Sequence, residues 1–330
     1  MISTPQPPLQ ENEVIVPTEK AFDFTVRCLC AAGATVPHAR LQADLLVEAD
    51  KRGHFSHGLN RLDRYVDDLR YNVCNGTGEP QILTGATESA TALVDGGNLL
   101  GAVLGHFCMN LAVDKAKQFG IAVVVCKGSN HFGTAGYYNR IAMRQGMIGL
   151  SLCNGGPCMF PTRSRTPAHG NNPLSVAAAV NGDDIGRDAF ELDMATGTVS
   201  LGKIEMAVRK GQSKIPVTWG ADSCGRPTSD PRQVYPNGGN LPLGGAEETG
   251  GYKGYGLAFM IDILTALLAG STFGMDLNPD KPVLIPGAPE REHAACCERL
   301  GGVPYHVNQI AFLNKLAAKL GVERLTEDLE

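Results

Sequence analysis

The chain has 330 residues, of which 43% are hydrophobic and 19% are charged, and its formal net charge is −5. This length is typical of about two globular domains. Without a basic stripe, nucleic acid or an anionic membrane is an improbable class of partner, and no apolar run approaches the roughly 18 residues of a membrane span. The N-terminus lacks the apolar core of a signal peptide, and the ten scattered cysteines form no Cys-x-x-Cys pair. Reduced thiols and a cytoplasmic location are therefore predicted.

The N-terminal part, residues 1–75, is predicted to be helical. Helical spacing of apolar residues and glycine stops indicate three helices: Thr18–Ala32, Pro37–Arg52 and Gly58–Tyr71. Ser56 stands where a cap of the third helix is expected, and Asn75-Gly76-Thr77-Gly78 ends the pattern. With a further helix at Asn308–Leu320, residues from about 271–330 are expected to complete this helical domain.

The central part, residues 76–270, changes character. Short apolar runs predict four strands: Ile121–Cys126, Met147–Cys153, Leu174–Val180 and Ala189–Asp193. Helical patterns lie between and after them: Gly101–Phe119, Ala135–Gln145, Gly202–Lys210 and Tyr252–Ala269. Interspersed strands and helices predict a mixed α/β domain. The Gly-x-Gly-x-x-Gly motif of a Rossmann domain is absent, Gly254-Tyr255-Gly256 being its nearest match.

Ser56-His57-Gly58 is the first candidate site. On a helix, His57, Arg61 and Tyr65 would follow at i, i+4 and i+8 and so share one face. A guanidinium one turn from an imidazole can hold a carboxylate beside a proton donor, which suits a 2-oxo acid. The alternative is a solvated helix in which Arg61 pairs with Asp63 or Asp68.

The second candidate is His131, within Ser129-Asn130-His131-Phe132-Gly133. It lies on a predicted strand-to-helix loop, a common position for binding groups in α/β domains. A helix N-terminus there would disfavour a protonated imidazole and favour nearby anions. The alternative is a loop histidine that is satisfied by the backbone.

Two small-residue turns could receive an anion. Asp193-Met194-Ala195-Thr196-Gly197-Thr198 leads from a strand into a helix, and Tyr252-Lys253-Gly254-Tyr255-Gly256 opens another helix with a lysine in place. Tight turns without a ligand are the alternative. The remaining histidines show no ligand spacing, so no metal site is predicted. Gly-x-Ser-x-Gly is absent, which leaves a serine hydrolase poorly supported.

Taken together, these motifs resemble those of the type-2 malate/L-lactate dehydrogenases. In chain order they are Ala49-Asp50-x-Arg52-Gly53-His54-x-Ser56-His57-Gly58, Ser129-Asn130-His131-Phe132-Gly133, Asp193-Met194-Ala195-Thr196 with Gly202-Lys203, Pro242-Leu243-Gly244-Gly245, and Tyr252-Lys253-Gly254-Tyr255-Gly256-Leu257. The resemblance covers about Val16 to Phe273. The same family includes ureidoglycolate and sulfolactate dehydrogenases, diketogulonate reductase and cyclic imino acid reductase.

The resemblance implies a nicotinamide-binding domain with a mixed sheet, distinct from a Rossmann fold, and helices packed around it. It implies NAD or NADP as cofactor and a homodimer with the active site in a cleft between domains. His57 matches a proton donor, Ser56 its neighbour, and His131 a histidine with the acid/base role in some members. Arg61 and Tyr65 match substrate-binding positions.

Cofactor binding is implied for two segments and a further pair of residues. The matching positions are Met194, Ala195, Thr196, Gly197, Thr198, Val199, Ser200, Tyr252, Lys253, Gly287 and Glu290. Two departures from the family pattern fall close by. Asn171 replaces the usual threonine of Gly-Thr-Asn-Pro, and Gly197 replaces a common serine. They bear on the geometry of the cofactor loops rather than on the reaction class.

The sequence therefore predicts an NAD(P)-dependent oxidoreductase that interconverts a small 2-hydroxy acid, malate first, with its 2-oxo acid. Lactate, sulfolactate, ureidoglycolate or a cyclic imine are alternative substrates, and an inactive nicotinamide-binding protein is the alternative of another class. Arg163 or Arg165 could meet a second carboxylate, although surface arginines are the simpler interpretation.

Overall fold

A computed structural model describes residues 14–179, 189–271, 288–305, 307–320 and 322–323. The chain divides into two compact units, Met1–Val283 and Leu284–Glu330. The first unit begins with the helices α1 (Thr18–Ala31), α2 (Val36–Lys51) and α3 (Leu62–Arg70). The predicted domain boundaries near residues 75 and 271 stay a prediction.

Helix α2 is the central helix of the N-terminal region. The Thr35 side chain caps it by accepting a hydrogen bond from the backbone of His38, and Pro37 occupies its first turn. Its apolar face packs in a buried cluster with neighbouring helices: Leu29, Ala34, Ala39, Leu46, Leu62, Tyr65, Leu69, Cys74, Leu99, Leu100, Val103 and Leu104. Burying a leucine side chain contributes about 2 kcal/mol, so this cluster holds the helices in place.

The third helix starts later than its sequence pattern predicts. The helix was expected from Gly58 with Ser56 as its cap, but a 3₁₀ turn at Leu59–Arg61 comes first and α3 begins at Leu62. No side chain caps either start locally, so the expectation for Ser56 is wrong. The backbone N–H of Leu59 instead donates to Asp50 Oδ2 at 3.0 Å, a partner nine residues earlier.

Two three-stranded sheets follow. Strands β1 (Gln81–Thr84), β2 (Thr91–Asp95) and β3 (Val123–Lys127) form a mixed sheet, with β1 antiparallel and β3 parallel to β2. Helix α4 (Gly101–Phe119) provides the crossover that the parallel pair requires. Strands β4 (Gly149–Leu152), β5 (Leu174–Ala179) and β6 (Ala189–Met194) form an antiparallel sheet, and α5 (Gly136–Met143) packs on it. The predicted mixed α/β class is confirmed.

The rest of the first unit builds around short elements. They are α6 (Leu201–Arg209), β7 (Gly220–Ala221), α7 (Pro231–Val234), β8 (Gly239–Asn240), a 3₁₀ turn at Glu247–Thr249 and α8 (Gly251–Asp262). Helix α8 continues as a π-helix at Ile263–Leu267, and Gly270 follows at φ 66°. The second unit contains α9 (Ala288–Leu300) and α10 (Val307–Leu320). Within the described ranges, no helix combines the length and apolar character needed to cross a membrane.

Candidate active site

The turn that carries Ser56 and His57 is held by contacts within its own motif. Gly53 takes a left-handed conformation at φ 78°, where glycine is tolerated without steric cost. Gly58 packs directly against the carboxylate of Asp50, and a Cβ built on Gly58 would lie 1.7 Å from Asp50 Oδ1. Only glycine leaves room for the carboxylate that binds Leu59. The two glycines of this motif, Gly53 and Gly58, thus have a structural reason here.

Two histidines from distant parts of the chain meet at this turn. The rings of His57 and His131 are stacked, with centroids 6.0 Å apart and planes 20° from parallel. The Ser56 hydroxyl is hydrogen-bonded to His57 Nδ1 at 3.0 Å, and the Tyr65 hydroxyl to His131 Nδ1 at 2.5 Å. Each Nδ1 therefore has a hydroxyl partner, which leaves each Nε2 as the ring nitrogen that can meet a substrate.

The loop of His131 is held by contacts with the residues that begin α4. The Asn130 amide donates to the backbone oxygens of Asn98 and Leu99 at 3.0 and 3.1 Å. Gly101 opens α4 against this loop, and a Cβ there would lie 2.4 Å from the backbone oxygen of His131. The loop is thus held against the start of α4, and the imidazole has little freedom to move.

Both histidines are uncharged at neutral pH. Burial lowers the pKa of His57 to about 4, with the charges of Arg61 and His54 adding to the effect. Burial also lowers the pKa of His131 to about 3; His57 lowers it further when it is itself protonated, and so do the positive charges of Arg64 and Arg61. The site therefore presents two neutral imidazoles in a positive environment, which favours the approach of an anion.

Arg61 lies beside the histidines and faces α6. Its Nε donates to the backbone oxygen of Ser56 at 2.9 Å, and its Nη1 is 3.2 Å from Glu205 Oε2. A Cβ on Gly202 would lie 2.4 Å from Arg61 Nη2. The alternative partners Asp63 and Asp68 are wrong, because the ion pair is made across the fold with α6. Arg61 connects the histidine turn to the helix that follows the predicted cofactor segment.

The predicted cofactor segment, Met194–Ser200, is held on two sides by hydrogen bonds to the backbone. The backbone N–H and the hydroxyl of Thr196 both donate to the backbone oxygen of Asn171, at 2.8 and 2.9 Å. On the other side, Thr198 donates its N–H to the backbone oxygen of Leu241 at 3.0 Å. These hydrogen bonds fix the position of the segment where it approaches α6.

The two departures from the family pattern touch each other. A Cβ on Gly197 would lie 2.6 Å from Asn171 Oδ1, so the asparagine side chain fills the space that a serine at 197 would need. The Asn240 amide donates to the same Oδ1 at 3.3 Å and also to the backbone oxygen of Val199. Asn171 and Gly197 are thus complementary in shape rather than two independent changes.

Tyr252 and Lys253 lie on the first turn of α8, next to the same segment. A Cβ on Gly254 would lie 2.2 Å from the backbone oxygen of Leu243, and the N–H of Leu243 donates to the backbone oxygen of Thr196 at 2.8 Å. Both predicted cofactor stretches are therefore brought together through Leu243. Gly287 lies outside the described residues. Glu290 belongs to α9, and its side chain is likewise outside the described part of the chain.

Three residues of the site escaped the sequence argument. Gln42 on α2 is fully buried, Glu205 binds Arg61, and Asn240 braces the cofactor segment. Gln42 carries a usable signal, because it stands at helical spacing among the apolar residues Ala39 and Leu46. Glu205 resembles an ordinary i, i+4 partner of Arg209, which it also contacts at 2.7 Å, so its link to Arg61 depends on the tertiary fold.

Two groups near the predicted cofactor segment lack a protein hydrogen-bond partner. Asn240 Oδ1 is buried and has no hydrogen-bond partner among the described residues. Ser200 precedes α6 without a side-chain cap, so its hydroxyl accepts from none of the N–H groups of the first turn. In the described part of the chain, no three His, Cys, Asp or Glu side chains are grouped so as to hold a metal ion.

Comparison with known proteins identifies the family of this chain. A sequence profile of the family described as malate/L-lactate dehydrogenase matches residues 16–281. Malate dehydrogenase of Pyrococcus abyssi is 41% identical over 266 residues, covering 80% of this chain and 71% of that protein. Ureidoglycolate dehydrogenase (NAD(+)) of Escherichia coli K12 is 36% identical over 250 residues, covering 76% and 67%.

A solved structure extends the likeness to the fold. Malate dehydrogenase from Pyrococcus horikoshii OT3 superposes with a TM-score of 0.70 at 31% identity, covering 97% of this chain and 99% of that chain. The chain belongs to the malate/L-lactate dehydrogenase family, a family of 2-hydroxy acid dehydrogenases and reductases, and it is an oxidoreductase.

Proposed function

We propose that this member of the malate/L-lactate dehydrogenase family is an NAD(P)-dependent dehydrogenase that interconverts a small 2-hydroxy acid with its 2-oxo acid. The observation that carries the proposal is the meeting of His57 and His131, stacked at 6.0 Å, beside the guanidinium of Arg61. A proton carrier next to a carboxylate-binding cation is what reduction of a 2-oxo acid requires.

The residues around the cofactor segment fit a nicotinamide dinucleotide. The unpartnered Asn240 Oδ1 can accept from an amide, and the uncapped first turn of α6 can meet a phosphate. Met194–Ser200, Tyr252 and Lys253 are the residues that would hold the cofactor. When bound, the nicotinamide supplies or accepts the hydride. NAD and NADP are both candidates, because the NAD(+) in the name of the Escherichia coli relative describes that relative only.

His131 is the residue we propose to carry the proton. Its Nδ1 is hydrogen-bonded to a phenol that is only 2% exposed, so the ring is fixed more firmly than that of His57, whose partner is the half-buried Ser56. As a neutral base, His131 can take the proton from a substrate hydroxyl at Nε2. In the reverse direction it returns that proton to the carbonyl oxygen.

Arg61 is the proposed site for the substrate carboxylate, with His57 lining the same space. A carboxylate there offsets the positive charges that lower the pKa of His131. Binding of a 2-oxo acid therefore favours uptake of the proton that its reduction consumes. Malate is the first candidate pair with oxaloacetate, because relatives named malate dehydrogenase match this chain over 80% of its length. Lactate, sulfolactate, ureidoglycolate and cyclic imines are the other candidates.

A homodimer is part of the proposal. Apolar side chains of the π-helix are exposed at its surface, Leu267 by 57% and Leu264 by 40%, and Leu268 next to it by 56%. Val123 on β3, the strand that packs beside the π-helix, is 49% exposed. An apolar group of this kind is suited to burial against a second copy. Sedimentation equilibrium tests this part, and a monomer at micromolar concentration would contradict it.

The direct test of the function is a spectrophotometric assay with purified protein. Loss of reduced-nicotinamide absorbance is followed with NADH and with NADPH against oxaloacetate, pyruvate, 3-sulfopyruvate and a cyclic imine. Fast oxidation with one acid is expected and names both substrate and cofactor. If no acid or imine causes loss of absorbance while a fluorescence titration still shows nicotinamide binding, an inactive nicotinamide-binding protein is favoured instead.

A further inference from the structure

A cavity of about 630 Å³ lies between the loop 160–165, the turn 223–227 and the segment 241–248. None of the residues proposed above to contact the substrate or the nicotinamide is among the residues that line it. Its volume is in the range of pockets that hold small organic molecules. Phe160, Pro227 and Pro242 give part of the wall an apolar surface. The cavity therefore has room for an organic ligand that the proposed function does not use.

The lining of this cavity carries a net positive charge. Its charged side chains are those of Arg163, Arg165, Arg226, Glu247 and Glu248, three cations and two anions. Arg163 and Glu247 neutralise each other, because the arginine Nε and Nη2 bind the two carboxylate oxygens at 2.7 and 2.5 Å. Within the described ranges, neither Arg165 nor Arg226 forms an ion pair with an acidic side chain. Two guanidinium groups are therefore available to an anion, with Glu248 as an opposing charge.

These two arginines come from backbone segments that touch each other. A Cβ on Gly225, which has a φ of 76°, would lie 3.2 Å from Arg165 Cα and 2.7 Å from the backbone oxygen of Ser164. The Asp222 carboxylate holds the same turn, since its Oδ1 accepts from the backbone N–H of Arg226 at 3.0 Å. Arg226 follows Gly225 directly in the chain, so Arg165 and Arg226 extend from neighbouring points of the cavity wall.

The cavity lining also includes a hydroxyl without a partner. Thr162 Oγ1 is buried and has no hydrogen-bond partner among the described residues. An unpaired buried hydroxyl costs free energy, which a valine of the same shape would avoid. Thr162 itself is partly exposed, so a rotation about χ1 turns its hydroxyl towards a ligand in the cavity. A ligand with acceptor oxygens therefore gives this threonine a role that the protein alone does not.

We propose that this cavity binds the phosphate monoester of a small organic molecule, at a site separate from the histidine pair. A phosphate monoester carries about two negative charges, which match the two guanidinium groups of Arg165 and Arg226. Its remaining oxygen accepts from the Thr162 hydroxyl, and its organic part packs against Phe160 and Pro242. The inference goes beyond the proposed function and does not depend on it.

The phosphate has two conceivable sources. Leu241 lines the cavity, and its backbone oxygen accepts from the N–H of Thr198 in the predicted cofactor segment at 3.0 Å. The cavity thus shares a wall with that segment. The 2′-phosphate of NADP is therefore one source, and a separate phosphorylated metabolite is the other.

Isothermal titration calorimetry with phenyl phosphate tests the site in the absence of turnover. We expect saturable binding, and at least tenfold weaker binding of phenol and of succinate. Arg165→Gln and Arg226→Gln should each weaken the binding of phenyl phosphate at least tenfold, the usual loss for a hydrogen bond to a charged group. Arg27→Gln, which changes an exposed arginine of α1, is the matched control and should bind as the wild type does. No saturable binding, equal binding to the wild type and both cavity variants, or tighter binding of succinate would each overturn the proposal.

Thr162→Val provides a second reading. The variant is expected to bind phenyl phosphate about fivefold more weakly, the equivalent of one hydrogen bond, while its Tm stays at or above that of the wild type. The Tm does not fall because the substitution removes a hydroxyl that is unpaired in the free protein. A lower Tm with unchanged binding of phenyl phosphate would contradict the role given to this residue.

Competition decides the source of the phosphate. If NADP provides it, phenyl phosphate displaces NADPH, and Arg165→Gln weakens binding of NADPH but not of NADH. If a separate metabolite provides it, phenyl phosphate binds to protein that is already saturated with NADPH. Either result supports the site. A protein that turns over no 2-oxo acid contradicts the proposed function, whereas the calorimetric test of this cavity still holds.

Discussion

At the scale of single residues, the contact between Asn171 and Gly197 shows how this chain builds its predicted cofactor loop. A serine at 197 is common in the family, and here its Cβ would overlap Asn171 Oδ1. Asn171 Oδ1 in turn accepts a hydrogen bond from the Asn240 amide, which also donates to the backbone oxygen of Val199. The two departures therefore form one unit in which each residue makes the other acceptable.

We expect Gly197→Ser to destabilise the protein by about 1–3 kcal/mol, the usual cost of overpacking, and to weaken binding of the reduced nicotinamide. Adding Asn171→Thr should restore most of both losses, because the smaller side chain vacates the space. Thermal unfolding and a fluorescence titration measure the two quantities. The single variant Asn171→Thr is the control, and purely additive effects in the double variant would refute the pairing.

Arg61 illustrates a residue whose role depends on partners that are remote in the sequence. Its spacing from His57 and Tyr65 pointed to the site, although the three do not share one continuous helix. Its ion pair with Glu205 and its approach to Gly202 come from the docking of α6. A local pattern can identify such a side chain, whereas its charged partner follows only from the tertiary fold.

At the scale of elements, the start of α4 determines where the His131 loop lies. A Cβ on Gly101 would lie 2.4 Å from the backbone oxygen of His131 and 2.6 Å from that of Asn130. Glycine, which has no Cβ, therefore allows the helix backbone to approach the loop this closely. Because both atoms belong to the backbone, they cannot move aside without shifting the loop.

Gly101→Ala is therefore expected to move the His131 loop and lower kcat by at least tenfold, with a stability loss of about 2 kcal/mol. Turnover and urea unfolding measure the two effects. Gly156→Ala serves as the matched control, since a Cβ there meets nothing within 4 Å. Wild-type turnover in Gly101→Ala would show that the loop does not need this close contact.

The elements also show what the sequence could and could not predict. Long periodic helices such as α2 and α4 were predicted within a few residues, because an apolar stripe and a glycine stop mark each of them. The predicted start of α3 is wrong. The carboxylate that accepts from the Leu59 N–H belongs to Asp50, nine residues earlier, and not to a local cap at Ser56. Strand β1 was not anticipated, because all four of its residues are exposed and show no alternation.

The candidate site also has features that the sequence predicts and features that only the fold reveals. His57, His131, Arg61 and Tyr65 could be chosen from residue type and motif, and the fold brings all four together. The hydroxyl partner of each histidine, however, is visible only in three dimensions.

At the scale of the whole molecule, the two buried histidines make stability depend on pH. Their pKa values in the folded protein, about 4 for His57 and about 3 for His131, lie below the ordinary value of 6.5 that applies after unfolding. Between those values the unfolded chain binds more protons than the folded one. Their contribution is therefore complete above about pH 6.5 and is lost as the pH falls toward the folded values.

At about pH 5 each histidine should account for a loss of about 2 kcal/mol relative to neutral pH. We expect the unfolding free energy of His131→Asn to fall less steeply between about pH 7 and pH 5 than that of the wild type. Urea unfolding at several pH values measures the slope. His293→Asn, which changes an exposed histidine of α9, should keep the wild-type slope. Identical slopes for all three proteins would contradict this account.

The central claim, that the paired histidines perform the proton transfer of a 2-hydroxy acid dehydrogenase, is tested most directly by the turnover of His131→Ala and His57→Ala on the best acid of the panel. The account predicts that His131→Ala lowers kcat by roughly 10²–10⁴-fold, the usual contribution of general acid–base catalysis, and that His57→Ala has a smaller effect. Collapse of turnover in His57→Ala alone would assign the proton transfer to His57 instead of His131. Near-wild-type turnover in both variants would contradict the assignment of the site.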